Sequence, residues 1–138
     1  MKIVPVVLAR QFRYPTFVNG YRDLLIEAPA GVLDAARPED SIRKKAEEET
    51  GYCLGHVRKI FEAFMSPGSM TEKLHFFVAE YSLTSRISAG GGLHHEGEDI
   101  EVLETKIERA LEMIEDGSIQ DAKTIMLLQH AALHIFVD

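Results

Sequence analysis

Cysteine is nearly missing from this sequence: Cys53 is the only one among 138 residues. An intramolecular disulfide is therefore excluded, and a zinc centre built on cysteines is disfavoured. Long apolar runs are missing as well. None approaches the roughly 18 residues that a membrane-spanning helix needs. The apolar run that opens the chain, MKIVPVVLAR, stops at Arg10 with no small-residue cleavage pattern behind it. It reads as a strand rather than a secretion signal. Positive charge is the scarcer sign, 15 Lys and Arg against 22 Asp and Glu, which leaves a net charge of −7. Nucleic-acid binding needs a basic footprint, so this balance argues against it. It does not bar a small anionic ligand, because local arginines or a bound cation can reverse the sign of a pocket. There is no internal repeat and no linker, and the length suits one domain, residues 1–138. These features point to the reducing cytoplasm.

What is present alternates between strand and helix signals. Ile3 to Ala9 is rich in β-branched residues and reads as a strand, with Pro5 placing it near a sheet edge or at a strand start. Tyr21 to Ala28 reads as a second strand, with Asn19-Gly20 as a hairpin-type turn signal between them. Pro38, Glu39 and Asp40 suit the first turn of a helix that Gly51 is placed to end. Ile42 and Ala46 mark the apolar stripe of that helix. Val57 to Met65 and Leu74 to Tyr81 read as strands, and Ile100 to Glu104 reads as a short one. The polar stretch Ser82 to Asp99 reads as a loop. Helical spacing of Ile107, Ala110, Leu111 and Ile114 precedes Gly117, and Asp121 suits the cap of a last helix carrying Ile125, Leu128 and Ala132. Phe61, Phe64, Phe76 and Phe77 are expected in the core, and Cys53 is expected to be partly buried. The order of elements predicts a mixed α/β domain with a sheet packed between helices.

The end of the first long helix, RKKAEEETGY, concentrates charge. Residues three and four apart share a helix face, so Lys45, Glu48 and Glu49 are expected to project together. Gathered carboxylates need a positive partner, and hard divalent cations are a common one. Here Lys45 is already positive. On composition alone, a solvated face with ordinary Lys–Glu pairs is the simpler account.

The wider stretch Gly31 to Tyr52, GVLDAARPEDSIRKKAEEETGY, resembles the Nudix box. Gly31 begins the match, and Ala46, Glu48, Glu49, Gly51 and Tyr52 complete it. The spacing is one residue short, Arg37 stands where a Glu is expected, Lys44 replaces an Arg, and Lys45 replaces the Glu after it. LARQFRYPTFVNG before the box, EAPAG at its start, MSPGSMTEKLHFFVAEYS after it, and AGGG with EDIEVLE further on are similar to the ADP-ribose pyrophosphatase group. Within that group the chain looks most like the GDP-mannose pyrophosphatase branch. The resemblance covers nearly the whole chain. It implies an α/β/α sandwich with a mixed β-sheet. It also implies Mg²⁺-dependent hydrolysis (Mn²⁺ as a substitute) of the diphosphate of a nucleoside diphosphate sugar of the GDP-mannose or ADP-ribose type. Members of that group carry a β-rich segment ahead of the part matched here, which helps form their dimer. A homodimer built differently, or a monomer, is the corresponding expectation.

The resemblance also implies a set of site residues. Glu48, Glu49 and the backbone carbonyl of Ala30 fall on metal-ligand positions, and the remaining family ligand falls on Lys45. In the loop LHHEGEDIEV, Glu96 matches a catalytic base and Glu98 an additional metal ligand. Gly90 to Gly92 and Gly97 would let that loop close over substrate. His94 and His95, adjacent in the same loop, are not assigned a role. Arg10 and Arg13 match residues that grip the diphosphate or the terminal sugar phosphate. Glu27 matches a contact to base, sugar or metal, and Glu72 a residue lining the pocket. Two functions follow. In the first, an enzyme is weakened because Lys45 opposes the metal. In the second, a catalytically inactive module of the same fold binds or senses a nucleotide sugar.

Overall fold

The computed structural model describes residues 5–31, 37–93 and 99–137. Strand β1, Val6–Gln11, is the middle strand of an antiparallel sheet in the order β2-β1-β5, with β2 at Leu25–Glu27 and β5 at Glu101–Thr105. Ala9 stands opposite Glu27 on one side and Val102 on the other. Pro5 directly precedes β1, where its missing N–H removes nothing from the ladder. The position is thus a strand start and not an edge.

Between β1 and β2 the expected hairpin gives way to a short helix, α1, Tyr14–Val18, with Pro15 in its first turn. Gly20, at φ +96°, lies beyond the end of this helix rather than at the tip of a hairpin. The register explains the difference. Gln11 pairs with Leu25, so the connection is too long for a two-residue turn, and Pro15 favours the start of a helix.

Helix α2, Pro38–Thr50, begins on Pro38 and ends where Gly51 adopts the left-handed conformation, φ +80°. A side chain at Gly51 would strike the carbonyl oxygen of Ser88, since an added Cβ would lie 2.3 Å from it. The segment from Ile87 to Gly92 is strapped onto this helix end. Ile87 and Ser88 donate backbone N–H groups to Gly51, Gly91 donates to Glu49, and Gly92 to Glu48. The last carbonyls of α2, which a helix cannot satisfy internally, are met in this way. Gly90 to Gly92 therefore dock against the helix end.

Strands β3, Val57–Phe64, and β4, Lys73–Ala79, form a separate antiparallel pair with an irregularity between Lys59 and Phe61. All described pairings are antiparallel. Helices α3, Ile107–Glu115, and α4, Ala122–His134, complete the α/β architecture. The core joins β1, β2, α3 and α4 through Leu8, Ile26, Ile107, Ala110, Ile119, Leu128 and Ala131. Full burial of each large aliphatic residue contributes roughly 1.5–3 kcal/mol. Helix α2 touches β1, β3 and β4 and so connects the two sheets. An apolar cavity of about 520 Å³ lies among them, lined in part by Leu8, Ala46, Phe77, Ala79 and Leu128. Phe76 is buried as expected, but Phe64, in the last position of β3, is exposed. Cys53 is exposed too, because it lies just past the helix end. Among the described residues no helix is long and apolar enough to cross a membrane.

Candidate functional site

One cleft collects five of the residues singled out by the sequence, Arg13, Ala30, Lys45, Glu49 and Glu72. It measures about 950 Å³, within the range of small-molecule sites, and is lined by residues from five parts of the chain. Gln11, Phe12 and Arg13 enter from the end of β1, and Ala30 and Gly31 from the segment after β2. Lys45 and Glu49 enter from α2, and Met65, Ser66, Met70, Glu72 and Leu74 from the β3–β4 connection and the start of β4. Asp121, Ala122 and Lys123 enter from the start of α4.

Two local networks hold the walls in place. Arg13 donates through Nε to Glu27 Oε2 at 2.8 Å and through Nη2 to Oε1 at 3.5 Å. Glu27 is only 5% exposed and is not part of the cleft lining, so it holds Arg13 from a buried position. Charge-assisted pairs of this kind are among the stronger hydrogen bonds, and they fix orientation. The second network centres on Thr124, which is fully buried. Its hydroxyl accepts the Ala28 N–H at 2.8 Å and donates to Asp121 Oδ2 at 2.7 Å, while its backbone N–H donates to the same oxygen at 3.0 Å. Asp121 thus caps α4 as expected. The same residues tie α4 to the strand end that leads into Ala30.

Helix geometry divides the acidic cluster. On a helix of 3.6 residues per turn, successive residues lie about 100° apart. Lys45 and Glu49, one turn apart, face the cleft together. Glu48 instead lines a smaller concavity of about 400 Å³ with Asp40, Arg43, Lys44, Glu47, Ile87 and Ser88. Glu49 is 3% exposed. Lys45 is half-buried, and its stem runs close against the backbone at Gly31, where an added Cβ would lie 2.7 Å from Lys45 Cγ.

Arg10 takes no part in this cleft. It reaches across the β1–β5 ladder to Glu101, its register partner, at 2.8 Å, with both side chains well exposed. Glu96, Glu98, His94 and His95 lie outside the described residues. Among the described residues no group of three or more His, Cys, Asp or Glu is gathered closely enough to hold a metal ion.

Sequence reasoning missed Lys123, Phe12 and Met70. Lys123 Nζ lies 2.6 Å from Asp121 Oδ1, at the mouth of α4. Its position two residues after a helix-capping aspartate was the available signal. Phe12 and Met70 line the cleft while remaining 55% and 53% exposed. Exposed apolar side chains beside a polar cleft suit contact with the flat or apolar part of a ligand.

No family model matches the chain. Individual relatives do. The chain is 57% identical over 129 residues to a GDP-mannose pyrophosphatase of Pectobacterium atrosepticum, covering 93% of this chain and 66% of that protein. It is 59% identical over 126 residues to the protein of the same name from Salmonella arizonae, covering 91% and 65%. Against that of Shigella dysenteriae serotype 1 it is 55% identical over 134 residues, covering 96% and 69%. The chain thus spans about two thirds of the length of the relatives it matches.

Proposed function

Starting from its membership of the GDP-mannose pyrophosphatase family, we propose that this chain hydrolyses the diphosphate of a nucleoside diphosphate sugar, with GDP-mannose as first choice. The observation that carries this reading is the convergence of Arg13, Ala30, Lys45, Glu49 and Lys123 on one cleft of ligand size. In the reaction water attacks one phosphorus, the bridging P–O bond breaks, and a nucleoside monophosphate and a sugar 1-phosphate leave. Arg13, oriented by Glu27, and Lys123, beside Asp121, are suited to hold phosphate oxygens. Phe12 and Met70 offer the apolar surface against which a base or sugar face rests. Glu96 is our proposed base for the attacking water, on the resemblance of its loop.

Phosphoryl transfer depends on positioning and on neutralising oxygen charge, and Mg²⁺ supplies Lewis acidity when bound. Of the ligands the resemblance implies, Glu49 and Ala30 line the cleft, a sparse set that would leave an ion largely hydrated. Glu49 and the Ala30 carbonyl are hard oxygen donors, and Mg²⁺ keeps several waters. We propose them as its ligands, with Glu98 as an additional one and Glu48 reserved for its own concavity. Lys45 opposes such an ion, so the enzyme is expected to be slow at ordinary Mg²⁺. Mn²⁺ is the alternative ion to assay, and a cytoplasmic setting is part of the proposal.

A second reading, a binding module without turnover, is favoured by one observation: Lys45 shares the cleft with Glu49. The two readings separate in a product assay. Incubation of GDP-mannose with the protein and Mg²⁺, followed by ³¹P spectroscopy, should convert the diphosphate resonances into two monophosphate resonances. An unchanged diphosphate, with ligand-dependent thermal stabilisation, would instead favour the binding module.

A further inference from the structure

From the charge pattern of the cleft we infer that Lys45 is a built-in cation for the diphosphate, so that ligand binding does not require a divalent metal. The inference rests on the nucleotide-sugar reading above for its ligand class. It goes beyond that reading by separating binding from turnover.

Three features of the cleft support it. First, the described lining carries three basic side chains, Arg13, Lys45 and Lys123, against three acidic ones, Glu49, Glu72 and Asp121. Lys45 offsets part of the acidic charge at the cleft and so lessens the need for a metal to reverse its sign before a diphosphate anion enters. With glutamate at position 45 the same lining would be acidic by two charges, and an anion would need a cation to enter. Second, the Lys45 stem is confined. Gly31 passes so close to Cγ that even a methyl group there would collide. A half-buried ammonium held on a confined stem gives up less freedom on binding than a surface lysine does. Third, Lys45 lies one helical turn from Glu49, which is 3% exposed. Their shared face puts both side chains on the cleft lining, and the Lys45 stem lies against Gly31.

The test uses the intact chain and two probes, inorganic pyrophosphate and GDP, titrated calorimetrically in EDTA and again in Mg²⁺. The wild-type Kd in EDTA should lie within about threefold of that in Mg²⁺, whereas Lys45→Met should weaken binding in EDTA by about tenfold or more. Lys45→Arg should retain metal-free binding, which guards against reading a folding defect as a lost contact. Thermal unfolding of each variant checks the fold directly. Wild-type binding that appears only with Mg²⁺ would overturn the inference, as would Lys45→Met binding as well as wild type in EDTA. Cleavage of GDP-mannose together with failed metal-free binding would sink this inference alone. Metal-free binding without cleavage would sink only the hydrolase reading.

Discussion

Replacing Thr124 by valine keeps the volume of a fully buried side chain and removes only its hydroxyl. The hydroxyl serves two partners, the Ala28 N–H and the Asp121 carboxylate. Asp121 keeps the backbone N–H of Thr124 and the ammonium of Lys123, so its loss is partial. The Ala28 N–H is left without its acceptor in a partly buried place. Stranding such a donor costs about 1–3 kcal/mol, and with the weakened cap we expect a net loss of about 2 kcal/mol. Unfolding entropy near 2.1 cal/mol/K per residue, over a chain of 138 residues, converts this to a fall in Tm of about 7 °C. Thr124→Ser is the matching control. It keeps both hydrogen bonds and loses one buried methyl, at about 1 kcal/mol. Urea unfolding of the three proteins should therefore rank wild type above serine above valine, with an unchanged slope. If valine is as stable as serine or more so, packing and not hydrogen bonding holds this junction, and the account of how α4 is fixed to the cleft wall is wrong.

Two further outcomes concern the cleft and the core. Arg13→Ala should raise KM for GDP-mannose, because Arg13 lines the cleft. Arg10→Ala should change KM little, since that side chain is committed to an exposed pair with Glu101 that is worth about 0–1 kcal/mol. Steady-state kinetics on both variants decide between them, and equal effects would contradict the placement. The Tyr81 hydroxyl, which donates to the Pro5 carbonyl, is pushed up to about 12 by burial and then by Tyr52 and Glu104. Its native pKa thus exceeds that of the unfolded chain. Its contribution is present below pH 10 and is lost as pH rises toward 12, because the unfolded state releases its proton first. Urea midpoints between pH 9 and 11.5 should fall more steeply for wild type than for Tyr81→Phe, and parallel curves would count against this.

Much of the fold was legible because local rules agreed with the final packing. Pro38 and Gly51 bound α2 as their backbone preferences require, and Asp121 caps α4 through its own side chain. The first connection misled because Asn19-Gly20 is a local signal, whereas the β1–β2 register is set by pairing across the sheet. Cleft membership was harder still. Helical spacing brought Lys45, Glu48 and Glu49 to one face within a turn, but the cleft opens toward Glu49 and leaves Glu48 on another concavity. Arg10 and Arg13 looked equivalent until β5 placed Glu101 beside the first. Lys123 is far from the box in sequence and reaches the cleft only because Thr124 ties α4 to the end of β2. Such contacts depend on tertiary placement, which no short window of sequence contains.

The central claim is a nucleotide-sugar hydrolase whose metal site is opposed by Lys45. Its most direct test is turnover of GDP-mannose across a Mg²⁺ titration for wild type and Lys45→Glu. We expect slow wild-type turnover that needs high Mg²⁺, and a faster variant that reaches its plateau at lower Mg²⁺. Full wild-type activity at low Mg²⁺, with no gain from the substitution, would contradict the account.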